Sequence, residues 1–210
     1  QLQATMSDHS KVTGESEISK AGKHIVNVTM IPQDAPATKS AVEAILKADV
    51  IILGPGSLYT SVIPNLLVTG IREALVASKA FKIYVCNVMT QPGETDGYGA
   101  FEHVQALVDT VGTQFLDYVI VNDEPLTAEQ LAQYRAKGQE PVTPDVQKIE
   151  QLGIQTVPAK LLSKEDLVRH NPQKLAQVVM SLVYRLRLFG KGFVFFDYLF
   201  IRQAMRKLRT

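Results

Sequence analysis

Two polar clusters in this sequence carry the residue types that bind anionic and hydroxylated ligands. Gly54, Pro55, Gly56, Ser57, Leu58, Tyr59, Thr60 and Ser61 form the first; Asn87, Thr90, Gln91, Pro92, Gly93, Glu94, Thr95 and Asp96 form the second. In the first, the glycines let the main chain approach a ligand closely. Ser57, Thr60 and Ser61 add hydroxyls to N–H donors, a set suited to phosphate or sugar oxygens. The pattern is neither the Gly-Lys-Ser/Thr P-loop nor the dinucleotide G-x-G-x-x-G. On its own it serves equally well as a tight strand-to-helix connection with a capping serine.

The second cluster combines side-chain amides, hydroxyls and carboxylates. Asn87 and Gln91 can each present a donor and an acceptor, as recognition of a base or an acetamido group requires. Glu94 and Asp96 could hold a divalent cation or act as a base, although two carboxylates two residues apart are more often a solvated turn and helix cap. No catalytic residue is assigned. His9, His24, His103 and His170 show no metal-ligand spacing, so no metal site is assigned either. There is no G-x-S-x-G elbow and no Cys/His arrangement for covalent catalysis.

Short apolar strands must position these clusters. Asp49 to Leu53 precedes the first loop as an apolar, β-branched run that suits a strand buried on both faces. Its loop then lies at the sheet's carboxyl edge, where open α/β sheets bind ligands. Further strands are expected over His24 to Ile31, Lys82 to Val88, Tyr118 to Val121 and Gly153 to Val157. Helices are expected after a cap at Thr38 or Ser40, over Gly70 to Ala77, through Phe101, Val104, Leu107, Val108 and Val111 up to Gly112, and from Thr127 to about Lys137. The polar segment from Gln139 to Gln151 reads as an exposed loop. Helices between buried strands imply right-handed crossovers, hence an α/β fold: a Rossmann-like, mostly parallel sheet with helices on both faces.

At 210 residues and 23.2 kDa the chain can bury a substantial core, with one domain over 1–183 and a C-terminal segment over 184–210. A net charge of +1 gives no basic excess, so no nucleic-acid partner is expected. The lone Cys86 sits in an apolar run, reads as a small core residue and fits a reducing compartment. No stretch reaches the ~20 apolar residues of a transmembrane helix, and Gln1 to Lys23 does not resemble a signal peptide. From Pro172 the chain turns helical. Tyr184 to Thr210 then sets Arg185, Arg187, Lys191, Arg202, Arg206, Lys207 and Arg209 against the single acid Asp197, interleaved with aromatics. Such an end can pack on its own domain or a dimer mate, or touch a partner or an anionic membrane surface.

The run Gly54-Pro55-Gly56-Ser57-Leu58-Tyr59-Thr60-Ser61, continued by Ile63-Pro64-Asn65-Leu66-Leu67-Val68 and Gly70-Ile71-Arg72-Glu73-Ala74, resembles a known family. With Asn87-Val88-Met89-Thr90-Gln91-Pro92-Gly93-Glu94-Thr95, and Gly14-Glu15-Ser16 with its following isoleucine, it is similar to the gluconeogenesis factor (YvcK-type) branch of the 2-phospho-L-lactate transferase (CofD-like) superfamily. The match spans about Leu2 to Ala176. The resemblance implies a cytoplasmic bacterial protein that binds a UDP-sugar such as UDP-N-acetylglucosamine and is linked to gluconeogenic growth, cell shape and wall synthesis. Candidate ligand-binding residues are then Gly54, Pro55, Gly56, Ser57, Thr60 and Ser61 toward the phosphates, Asn87, Thr90, Gln91 and Glu94 toward the sugar or base, and Asn65 and Thr95 beside them. The transferase branch instead moves a phospholactyl group from a guanosine diphosphate-linked donor, with a divalent metal as cofactor. That branch lacks the Thr-Gln-Pro-Gly-Glu-Thr loop, so it is the alternative reading. A third is an oligomeric scaffold with a partner-binding tail, and a homo-oligomer is the expected assembly. The glycine-rich strand-turn-helix and the Asp-Asp-Gly-Gly-type motif that the family places upstream do not occur here. An N-terminal portion carrying half the nucleotide site is therefore expected to lie outside this sequence.

Overall fold

The computed structural model describes residues 1–163 and 168–189. Two sheets organise it. The first is antiparallel, in the order β2 (Lys11–Thr13), β1 (Leu2–Met6), β3 (Ile25–Met30). Its central strand alternates: Leu2, Ala4 and Met6 are buried while Gln3 and Thr5 are half-exposed, the two-residue period of a strand with one face on the core. A short helix, α1 (Glu15–Lys20), follows β2 and buries Ile18.

The second sheet is parallel, in the order β4 (Val50–Leu53), β5 (Phe81–Val85), β6 (Tyr118–Asn122), β7 (Gln155–Ala159). Around it run α2 (Lys39–Lys47), a π-helical turn (Leu58–Val62) continuing into α3 (Ile63–Leu66), α4 (Ile71–Ala77), α5 (Ala100–Val111), α6 (Ala128–Arg135) and α7 (Val146–Gln151). This is the Rossmann-like α/β architecture expected from the strand and helix periodicities. The caps behave as read: Thr38 Oγ1 accepts from Ala41 N, and Thr127 Oγ1 from Gln130 N. Gly112, with φ 82, ends α5.

Three expectations change. The run at 24–31 is a strand, but β3 belongs to the antiparallel sheet, paired with β1. β4 is not buried on both faces: it pairs only with β5 among the described residues, and Ile52 is 45% exposed. An apolar run specifies burial without saying which neighbour provides it. The segment 139–151 is not one exposed loop, because Val142 and Ile149 are buried and α7 forms within it. Ile149 packs with Leu107, Leu116 and Ile154 in the main core.

The chain divides into two units, Gln1–Asn171 and Pro172–Thr210. Of the second, α8 (Pro172–Phe189) is described, with Leu182 and Leu186 buried and Met180, Tyr184 and Leu188 exposed. The rest of the basic, aromatic end read over 184–210 lies outside the described residues.

Tyr84 is fully buried, and its hydroxyl meets no partner at hydrogen-bond geometry among the described residues, with only the weakly bonding Cys86 thiol nearby. Tyr84→Phe removes a desolvated polar group without opening a cavity, so urea denaturation should show a change of under about 1 kcal/mol, toward greater stability. A loss above about 1.5 kcal/mol would instead show that the hydroxyl is well bonded.

Candidate functional site

The first loop leaves β4 at Gly54. Its φ is 81, and a Cβ added there would lie only 3.0 Å from the Val85 carbonyl oxygen, so no larger residue fits and the loop starts pressed against the end of β5. The chain then turns through Pro55 and Gly56 into the π-helical turn, where Ser61 N and Val62 N both donate to Ser57 O. The amides of Gly56, Ser57 and Leu58 make no hydrogen bond among the described residues. Ser61 and Asn65 lie at the surface, and Asn65 Nδ2 donates to Ser61 O at 2.7 Å.

The second loop leaves β5 through Cys86 and Asn87 and is braced from three sides. Thr90 exchanges two bonds with Glu140, its N–H donating to the Glu140 carbonyl and its Oγ1 accepting from Glu140 N, both at 2.8 Å. Gly93 O accepts from Ile25 N at 2.8 Å, which ties the loop to β3. Thr95 Oγ1 accepts from Gln91 N at 2.9 Å.

One chain of bonds joins the loops. Ser57 Oγ donates to Gln91 Oε1 at 2.8 Å, and Gln91 Nε2 donates to Glu94 Oε1 at 3.3 Å. Thr60 Oγ1 donates to the same Glu94 oxygen at 2.8 Å, while Tyr59 N donates to Glu94 Oε2 at 3.4 Å. Glu94 is 2% exposed, and its burial raises its pKa against the lowering effect of the Thr60 and Tyr59 donors. Beside it the Tyr59 and Tyr98 hydroxyls lie 2.9 Å apart; burial, then the Tyr98 contact, pushes the Tyr59 phenol well above its ordinary value.

The candidate residues therefore separate into two groups. Thr60, Thr90, Glu94 and Thr95 are buried and their side chains are engaged inside the protein. Gly54, Pro55, Gly56, Ser57, Ser61, Asn65, Asn87 and Gln91 remain partly or fully exposed at the surface of the loops. The Asn87 side chain makes no hydrogen bond among the described residues. A cavity of about 330 Å³ opens beneath the first loop, walled by Ile45, Ile51, Ile52, Leu53, Ile71 and Leu75 and rimmed by Gly54, Pro55, Gly56, Ser61 and Asn65. No second-loop residue lines it.

A divalent cation finds no ready donor set here. Both Glu94 oxygens are committed to protein donors, Asp96 Oδ2 accepts from Gly93 N, and no group of three candidate ligands lies together among the described residues. The N-terminus of α5 is likewise filled, by Asp145 Oδ2 against Phe101 N and Glu102 Oε2 against Gly99 N.

What the sequence reading missed is a strap over the sheet's carboxyl edge. Asn122 Oδ1 accepts from Leu161 N, Glu124 Oε2 from Leu162 N, and the Tyr134 hydroxyl from Val168 N. His170 Nε2 donates to the Cys86 carbonyl at 3.1 Å, and burial lowers the pKa of this histidine. These bonds tie Leu161, Leu162 and His170 to the residues at and just beyond the carboxyl ends of β6 and β5. Nothing in the local pattern around Asn122 or His170 signalled it.

A parallel α/β sheet with two linked polar loops at the carboxyl ends of the neighbouring strands β4 and β5 defines a Rossmann-like α/β domain. The chain belongs to the 2-phospho-L-lactate transferase CofD family, which it matches over residues 1–162. It is similar to the gluconeogenesis factor of Halalkalibacterium halodurans, 47% identical over 181 residues that make up 86% of this chain and 56% of that protein. The gluconeogenesis factor of Bacillus subtilis is 39% identical over 183 residues, 87% of this chain and 58% of that one. A crystal structure of a UPF0052-family protein from Bacillus halodurans aligns with a TM-score of 0.80 at 47% identity, covering 85% of this chain and 58% of the other. The chain thus spans a little over half the length of these relatives. No described helix is long and apolar enough to cross a membrane.

Proposed function

We propose that this domain binds a nucleotide sugar of the UDP-N-acetylglucosamine kind and acts, in the cytoplasm, in a regulator of gluconeogenic growth, cell shape and wall synthesis. The observation that carries the reading is the bond from Ser57 to Gln91, which sets the two loops side by side at 2.8 Å. In this arrangement the amides of Gly56, Ser57 and Leu58 face the diphosphate, and Asn87 and Gln91 face the sugar or base. Support for the location comes from the place of both loops, which follow the carboxyl ends of the parallel strands β4 and β5, the edge of open α/β sheets at which ligands bind. The names of the similar gluconeogenesis factors support the metabolic role.

Isothermal titration of the full-length protein with UDP-N-acetylglucosamine tests this. Gln91→Ala removes both the loop-to-loop bond and a ligand-reading amide, and is expected to weaken binding about tenfold or more, equivalent to about 1.4 kcal/mol. A folded wild-type sample that gives no heat would overturn the reading. Membership of the CofD family favours a second one, phospholactyl transfer from a guanosine diphosphate-linked donor. Mass-spectrometric detection of a transferred phospholactyl group separates the two.

A further inference from the structure

We propose that the second unit of this chain is a membrane-surface contact: the exposed apolar stripe of α8, with the basic and aromatic sequence that follows it, binds an acidic phospholipid bilayer without crossing it. The helix has apolar residues on two sides. Leu182 and Leu186 are buried, while Met180, Tyr184 and Leu188, each more than half exposed, recur at four-residue spacing and so share the other face. Toward the N-terminus the same exposed stripe carries Gln173 and Gln177, so its apolar character begins only in the second half of the helix. Exposed apolar side chains scattered singly need no cover, but a row of three on a helix whose opposite face is already packed marks a contact surface.

Charge decides what covers the stripe. Residues 172–210 hold eight cations and one acid, net +7, whereas residues 1–171 hold fourteen cations and twenty acids, net −6, a division that the overall charge of +1 conceals. α8 itself has no acidic residue, and Arg187, exposed as well, adjoins Leu188. A second copy of the chain would set like charge against like charge, which opposes pairing through this unit. A nucleic acid would meet the cations but leave Met180, Tyr184 and Leu188 without a use, because its phosphates are bound by cations and polar groups. An acidic bilayer meets both properties: its headgroups attract the cations, and the boundary of its acyl chains takes up the apolar row. The sequence beyond α8 repeats the pattern. Phe193, Phe195, Phe196, Tyr198 and Phe200 fall within eight residues, and four cations follow from Arg202 to Arg209. That apolar stretch is far short of the ~20 residues of a spanning helix, so its chemistry suits the interface rather than the interior of the bilayer.

This contact does not depend on what the two loops bind, so its failure is distinct from a failed titration with a nucleotide sugar. Co-sedimentation of the full chain with vesicles of phosphatidylcholine alone, or of phosphatidylcholine and phosphatidylglycerol in equal parts, tests it. The protein is expected to sediment with the mixed vesicles and not with the neutral ones, less so as salt rises. Replacing Arg202, Arg206, Lys207 and Arg209 together by glutamine should lower partitioning about a hundredfold or more. Met180→Gln, Tyr184→Gln and Leu188→Gln in one chain should lower it about tenfold. The chain contains no tryptophan, so Tyr184→Trp supplies a reporter on the stripe itself. Its emission should shift to the blue with mixed vesicles and be quenched by lipids brominated on their acyl chains. Equal sedimentation with neutral vesicles, wild-type partitioning of either glutamine variant, or an emission unmoved by mixed vesicles would each overturn the contact. Absence of vesicle binding together with retention of a random DNA duplex, or with a dimer that the stripe substitutions dissolve, would overturn it in favour of nucleic acid or of a second copy. Circular dichroism checks the fold of each variant, and the comparison of the two vesicle types with the wild type decides the matter if a variant does not fold.

Discussion

Replacing Gly93 by alanine is expected to cost about 3 kcal/mol of folding stability, combining about 1–2 kcal/mol for a left-handed L-residue with the strain of an added contact. The residue has φ +81, and an added Cβ would sit 2.9 Å from the carbonyl oxygen of Lys23. That atom is backbone, so no side-chain rotation relieves the contact. It also cannot retreat freely, because Gly93 O accepts from Ile25 N two residues further on and Gly93 N donates to Asp96 Oδ2. For a chain of this size the loss corresponds to a fall in Tm of roughly 6–12 °C. Differential scanning calorimetry measures it, and a drop of under about 3 °C would contradict the contact geometry. The strain enters the loop that carries Gln91 and Glu94, so ligand affinity should fall along with stability.

The second large effect is purely one of packing. Leu107 on α5 is fully buried, within the cluster that includes Val104, Leu116, Val119, Ile149 and Ile154. Leu107→Ala leaves a cavity in a close-packed core and should cost about 3 kcal/mol, within the usual span of about 2–5 kcal/mol for such truncations. Leu46→Ala, at a side chain that is 47% exposed, should stay within about 0.5 kcal/mol. Equilibrium denaturation compares the two; equal losses would mean that α5 is not seated as described. While folded, the Leu107 variant should retain wild-type ligand affinity, since none of the candidate site residues belongs to α5. Gly93→Ala lowers both quantities and Leu107→Ala only one, so the pair separates site geometry from core stability.

Much of the scaffold could be read from pattern. The helix through Phe101, Val104, Leu107, Val108 and Val111 formed over Ala100–Val111 because residues three and four apart share a helical face, and Gly112 stopped it in a left-handed conformation. Strands beginning at Val50, Phe81, Tyr118 and Gln155 followed from short apolar runs between helices, although β4 is only partly buried. β1 escaped notice although Leu2, Ala4 and Met6 alternate with polar residues, because five residues containing an alanine give a weak signal. The helix at Val146–Gln151 was hidden by its polar composition, and only packing shows that Ile149 anchors it.

The sequence by itself determined which residues are chemically equipped for a site, because glycines, hydroxyls and amides are properties of the residue, and it determined that a strand must present each loop, because hydrophobic period is local. Only the tertiary structure decided how those residues divide. Ser57 and Gln91 meet across 34 positions, Thr60 and Glu94 across another 34, and Thr90 and Glu140 across 50. Whether a hydroxyl or carboxylate faces a ligand or a neighbouring loop depends on such distant partners, and burial then fixes the outcome, since a desolvated polar group must take whatever partner the fold brings to it. The same holds for β4: its apolar character was written in four residues, but that it pairs with β5 alone among the described residues is decided by which strands come together, a property of the whole sheet.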